Sequence, residues 1–181
     1  VGSYYYLMAQ LPGIRPGFQS SLSYDAFAEM SSRFLSPGDL EILNRLSLEP
    51  PRDVFPSGSA VVDGWFAFER SLRLSLQRVR AAKLSRGVTV SSEDDSSVYA
   101  ESETAAIARA AVELDNPLDA ERYLDMARLD RIQSLSSLNN FDSDAVFAYG
   151  LALLLNERSL RFSAATGRAS YTTIYNNILG E

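Results

Sequence analysis

The stretch that most narrows the possible folds is "AVVDGWFAFERSLRLSLQRVRAAKL", Ala60 to Leu84. It contains no proline, and Trp65, Phe68, Leu72, Leu76 and Val79 recur at intervals of three or four residues. That spacing puts all five on one face of a helix and predicts a single long helix from about Ala60 to Leu84. No part of the chain alternates apolar and polar residues for long enough to build a sheet, and no fixed-period repeat is present. A helix this long with one apolar stripe must bury that stripe against other helices. The expectation is therefore an all-α, single-domain bundle of about six to seven helices over residues 1–181, preceded by a short extended or helical segment.

The other elements follow from local signals. A helix from about Tyr24 to Leu35 carries Phe27, Met30 and Phe34 on one face. In "SPGDLEILNRL" Ser36 is placed as an N-cap, Pro37 in the first turn and Asp39 where a capping-box acid belongs, with Leu40, Leu43 and Leu46 turned inward. The prolines of "EPPRDVFPSGS" end that helix, because they remove backbone donors and restrict the residue before them. Beyond "SRGVTVSSEDDSS", Ser85 to Ser97, which reads as a mobile acidic loop, four more helices are expected.

The first of these runs from Val98 to Leu114, with Ala106, Ala110 and Ala111 permitting close contact. The second runs from Asn116–Pro117 to about Leu138, with Leu118, Tyr123, Met126 or Ala127, and Leu135 as its apolar set. The third starts at Asp142 or Ser143 and is apolar on most sides, as a central helix would be. The last spans about Ser170 to Leu179 and carries Tyr171, Ile174, Tyr175 and Ile178. At the other end, "SYYYLMAQLPG", Ser3 to Gly13, reads as a short buried segment that packs its aromatic rings on the helices and turns at Pro12–Gly13.

Composition removes several kinds of chemistry. The chain has no cysteine and no histidine, so thiolate nucleophiles, disulfides and the usual zinc ligands and general base are missing. A net charge of −6 argues against wrapping a nucleic-acid backbone. The longest apolar runs, Tyr4 to Ala9 and Leu151 to Leu155, are too short for a signal sequence or a spanning helix, so membrane contact is expected only through a partner and the location is expected to be cytoplasmic. The phosphate-cradling patterns GxxxxGK[ST] and GxGxxG are absent. Glu101 with Glu103 and Glu121 with Asp125 read as parts of a solvated acidic face, and no metal or cofactor site is expected.

Charge is divided unevenly along the chain. Up to Arg86 there are 10 basic and 8 acidic residues, and beyond it 7 and 15. The second half of the long helix concentrates the excess: Arg70, Arg73, Arg78, Arg80 and Lys83 follow Glu69 with no further acid. The helix macrodipole accounts for Arg80 and Lys83 better than for Arg70 and Arg73. Either these cations form a solvated face paired with the acidic half of the chain, or they dock an acidic partner; Arg70, Arg73 and Arg80 are the candidate partner-interface residues.

"YYYLMAQLPG", "LSPGDLEILNRL" (Leu35 to Leu46), "NPLDAERYLDMARLDRIQSL" (Asn116 to Leu135) and "FDSDAVFAYGLALLLNERSLRF" (Phe141 to Phe162) resemble, in that order, a bacterial family encoded inside V-type (archaeal-type) ATPase operons. Members of that family look like counterparts of the C/d component of the ATPase central stalk, an all-helical socket between the rotor shaft and the membrane ring of proteolipids. The chain has roughly half the length of that stalk component, so the resemblance leaves open an incomplete funnel, a different stalk role or an assembly factor. It implies a non-catalytic subunit or accessory protein whose partners are other ATPase subunits, and it carries over no catalytic residue. The alternative expectation is a small-molecule-binding or regulatory domain with an inter-helix pocket drawing on Tyr99, Tyr123, Tyr149, Tyr171 and Tyr175.

Overall fold

The computed structural model describes residues 4–53, 56–84, 98–136, 140–162 and 172–176, with backbone alone for 98–102. Every regular element among the described residues is a helix: α1 (Tyr5–Met8), α2 (Tyr24–Ser31), α3 (Pro37–Asn44), α4 (Ala60–Lys83), α5 (Val98–Glu113), α6 (Pro117–Leu135) and α7 (Ser143–Arg161). Residues 172–176 form one further helical turn. The acidic loop of 85–97 lies outside the described residues, as do several of the positions expected in the last helix.

The helix starts are set by side chains that accept otherwise unpaired backbone N–H groups. Ser23, Ser36, Ser59, Asn116 and Asp142 are the N-caps of α2, α3, α4, α6 and α7, and each accepts from a backbone N–H two or three residues on. At α3 half of the expected box forms: Ser36 Oγ accepts from Asp39 N at 3.2 Å and donates to Asp39 Oδ2 at 2.7 Å, while the Ser36 backbone N–H that the acid would take goes to the Tyr4 hydroxyl. α2 ends at Ser31, earlier than its periodicity suggests, and Phe34 stays 40% exposed.

α4 and α7 are the structural centre. α4 buries Val61, Val62, Trp65, Phe68, Leu72 and Leu76, and at 24 residues it is about 36 Å long. It packs along α5 and α6, while α7 lies against α6, α4, α2 and α3. α7 is buried on most sides, as its sequence predicts, and Gly150 lets it approach closely: a Cβ there would stand 2.8 Å from Leu46 Cδ2 and 3.1 Å from the Phe27 ring. α7 also anchors the irregular connector. Asn156 donates to Phe18 O and accepts from Gly17 N, Tyr149 donates to Pro12 O, and Glu157 accepts from Tyr24 N at the start of α2.

Three sequence expectations about which side faces inward are corrected. At the N-terminus Tyr4 and Leu7 are buried but Tyr5 and Tyr6 are 54% and 75% exposed, so one ring of the three enters the core. Its hydroxyl donates to Asp39 and accepts from Ser36 N, tying α1 to the cap of α3. In α5, Ala108 and Ala111 are buried while Ala106 is not. In α6 the buried residues are Leu124, Asp125, Arg128 and Ile132; Tyr123 and Met126 face outward. An α6 with two charged residues on its inner face has no apolar stripe to read, because the interior partner of that face is itself charged.

Candidate functional site

That charged partner is Glu69 of α4, which is 1% exposed. Arg128 meets it with two parallel hydrogen bonds, Nε to Oε2 at 3.0 Å and Nη2 to Oε1 at 3.1 Å. This fork-to-carboxylate pairing is the strongest geometry open to an arginine and an acid. Arg73 Nε donates to Glu69 Oε1 at 2.9 Å, so one buried carboxylate orients two guanidinium groups. Arg128 Nη1 continues to Asp125 Oδ1 at 3.2 Å, Arg158 of α7 donates to the same oxygen at 2.5 Å, and Arg158 Nη2 donates to Glu121 Oε2 at 2.9 Å. A chain of ion pairs therefore crosses α4, α6 and α7.

Burial and charge oppose each other here. For Arg128, burial works against the cation, but the hydrogen bond and charge of Glu69, with Asp125 and Glu121 behind it, hold its pKa above the ordinary arginine value. For Asp125, burial dominates and raises the carboxyl above its ordinary range against the pull of Arg158 and Arg128.

Beside this network lies a cleft of about 390 Å³, at the low end of the size range of ligand pockets. Its apolar wall is Leu46, Leu48, Leu154 and Leu155. Arg73, Arg128, Arg158 and Arg161 supply cations, and Glu49, Glu69 and Glu157 supply anions. α4, α6 and α7 each set their charged side chains by packing an apolar face elsewhere, and the chain after α3 closes the fourth side.

The candidate interface residues separate into different roles. Arg70 donates to Pro51 O at 3.0 Å and pins the segment before α4. Arg73 belongs to the ion network, with Glu69 at 2.9 Å and Glu49 at 3.7 Å. Arg80 is exposed and makes no ion pair among the described residues. Glu121 and Asp125, expected on a solvated face, instead turn inward to Arg158 and Arg128. Of the tyrosines considered for a pocket, Tyr149 is half-buried, whereas Tyr123 and Tyr175 lie on the surface. Tyr171 and the side chain of Tyr99 lie outside what the structure describes.

Sequence reasoning missed Arg128, Arg158 and the inward role of Glu69. The available signal was the order Glu121, Asp125, Arg128 on one helix, whose three- and four-residue steps stack the three on one side. Among the described residues no group of three or more acidic side chains is placed to hold a metal ion, and no helix is long and apolar enough to cross a membrane. No protein-family model matches the chain, and neither does any curated protein or solved structure.

Proposed function

We propose that the chain is a non-catalytic subunit or accessory protein of a bacterial V-type ATPase, acting in the central stalk or its assembly. The sequence resemblance supports this reading, and so does one structural observation: the charged residues of the interior are spent on one another. Glu69, Arg128, Asp125, Arg158 and Glu121 satisfy each other across three helices, which stiffens a body rather than activating a nucleophile. A stiff α4 with Arg80 exposed on it suits a load-bearing contact with an acidic partner.

The test is whether the tagged chain co-purifies with the ATPase and cross-links to a stalk component. Arg80→Glu combined with Arg70→Glu is expected to lower recovery of the complex severalfold while the melting temperature stays within a few degrees; unchanged recovery removes this face from the interface. Arg73→Glu does not serve, because it would set a third carboxylate against Glu69 and Glu49.

A second reading, a helical domain that binds a small molecule, is favoured by the cleft beside the ion network, where an apolar wall and charged groups converge.

A further inference from the structure

α4 carries a second pattern on its outer side. Leu74, Gln77, Ala81 and Leu84 follow one another at steps of three, four and three residues, and Ala67 stands one heptad before Leu74. That alternation is the spacing of a coiled-coil seam, the line along which one helix packs on another. The seam is open: Leu74 and Leu84 are 42% and 65% exposed, Ala67 and Gln77 are exposed, and Ala81 is half-buried. The core stripe of Trp65, Phe68, Leu72 and Leu76 lies on the opposite side of the same helix. Two faces of α4 are thus spaced for helix contact, and the described residues cover the first.

Charge indicates what fits the second. From Arg70 to Lys83 the helix holds five cations and no acid. Arg73 and Arg80 flank the seam on one side and Arg78 on the other. Arg80 makes no ion pair among the described residues, and Arg70 is held by the Pro51 carbonyl rather than by an acid. Arg73 meets Glu49 and Glu69, but Glu69 already accepts two bonds from Arg128. Asp63, one turn before Ala67, is turned to the Ser57 backbone N–H at 2.8 Å. The seam is therefore edged with positive charge.

We propose that the outer face of α4 docks one amphipathic helix of a partner protein, its apolar seam on Leu74, Ala81 and Leu84 and its acidic flanks beside Arg73, Arg78 and Arg80. The proposal rests on the docking reading of α4 above and names the kind of partner. Alanine at two seam positions lets a second helix come close, and opposite charges at the flanking positions select it. A second copy of α4 would set arginine against arginine. An anionic membrane would receive two leucines ten residues apart, too little apolar surface for an interfacial helix.

The experiment titrates the full chain with a synthetic peptide of three heptads, leucine at a and d and glutamate at e and g, while following the methyl resonances of Leu74 and Leu84. The glutamate peptide is expected to shift both saturably, and the same peptide with lysine at e and g to shift neither. Leu74→Glu is expected to weaken binding by at least about tenfold and Arg80→Glu severalfold, with melting temperatures unchanged because both side chains are exposed. Met126→Glu, on the exposed side of α6, should bind as the parent does. No saturable shift, shifts confined to other methyls, or equal binding of the two peptides overturns the proposal. So does a dimer, or sedimentation with phosphatidylserine vesicles, that Leu74→Glu abolishes while the glutamate peptide fails to bind. Recovery of the ATPase by the tagged chain separates the two readings. Equal recovery by the parent and Leu74→Glu overturns the seam and leaves the ATPase assignment standing. Peptide binding at the seam with no ATPase recovered overturns that assignment and leaves the seam.

Discussion

α6 and α7 are each 19 residues long and lie side by side, yet they hold the fold by different means. α7 buries Val146, Phe147, Leu151, Leu153 and Leu155 among small neighbours, with Asn156 as its one buried polar side chain. α6 buries four residues, and two of them, Asp125 and Arg128, carry charge. Apolar burial is tolerant of direction: a leucine shifted by a small angle still contacts something apolar. A buried guanidinium is not, because it must find its carboxylates at hydrogen-bond distance or leave a desolvated charge behind. α7 therefore supplies volume and α6 supplies register, fixing how α4 and α7 sit against it.

The largest expected effect comes from breaking the register device. Glu69→Ala leaves Arg128 buried without its bidentate acceptor and releases Arg73, and should cost about 3 to 5 kcal/mol in urea unfolding. Replacing both partners, Glu69→Leu with Arg128→Met, should recover much of that loss, since a buried pair exchanged for apolar groups of similar size is often near neutral. The informative reading is the difference between single and double variants. If the double variant is as unstable as Glu69→Ala, the ion pair is supplying net stability and the contrast between α6 and α7 weakens.

A smaller loss is expected on the α7 side. Gly150→Ala would set a methyl 2.8 Å from Leu46 Cδ2, closer than packed carbons approach, and a tight 3.1 Å from the Phe27 ring. Overpacking of this kind costs about 1 to 3 kcal/mol. The better helix propensity of alanine returns up to about 1 kcal/mol, so a net destabilisation of about 1 kcal/mol is expected by urea unfolding. Leu46→Ala in the same chain should relieve the closest clash and make the two changes non-additive, because Leu46 is the nearest contact. Full additivity would mean that α7 is not held tightly at this point.

The same contrast explains what can be read from the residues alone. The stripe of α4 and the all-round apolar character of α7 are legible because hydrophobic burial leaves a period in the sequence. The caps Ser36, Asn116 and Asp142 are legible because their function is local. The inner face of α6 is not: Arg128 and Asp125 resemble surface residues until Glu69 and Arg158, 59 and 33 positions from them respectively, are brought alongside. The exposed Tyr5 and Tyr6 escape prediction for the converse reason. Tyr5 meets other rings at the surface, tilted against Phe141 with centroids 4.9 Å apart and edge-to-face with Tyr6 at 5.8 Å. The candidate cleft shares the fate of α6, since the same arginines line it.

The smallest expected effect tests whether polar burial also matters where α7 meets α2. Tyr24 donates its hydroxyl to Leu43 O at 3.1 Å, while its backbone N–H is bound by Glu157 of α7. Burial, with a lesser contribution from the charge of Asp25, pushes its pKa from 10.0 up to about 12. Between those two values the unfolded chain has lost the phenolic proton and the folded chain has kept it. The unfolded state therefore binds fewer protons, and stability falls as pH rises through this interval. Tyr24→Phe removes that titration at the cost of one hydrogen bond, about 1 kcal/mol. The variant should be less stable than the parent at about pH 8, and the gap should close and then reverse between the two pKa values in urea unfolding. A gap that stays constant would mean that Tyr24 titrates alike in both states, and that the α2 side of α7 imposes none of the burial cost that the α6 side bears.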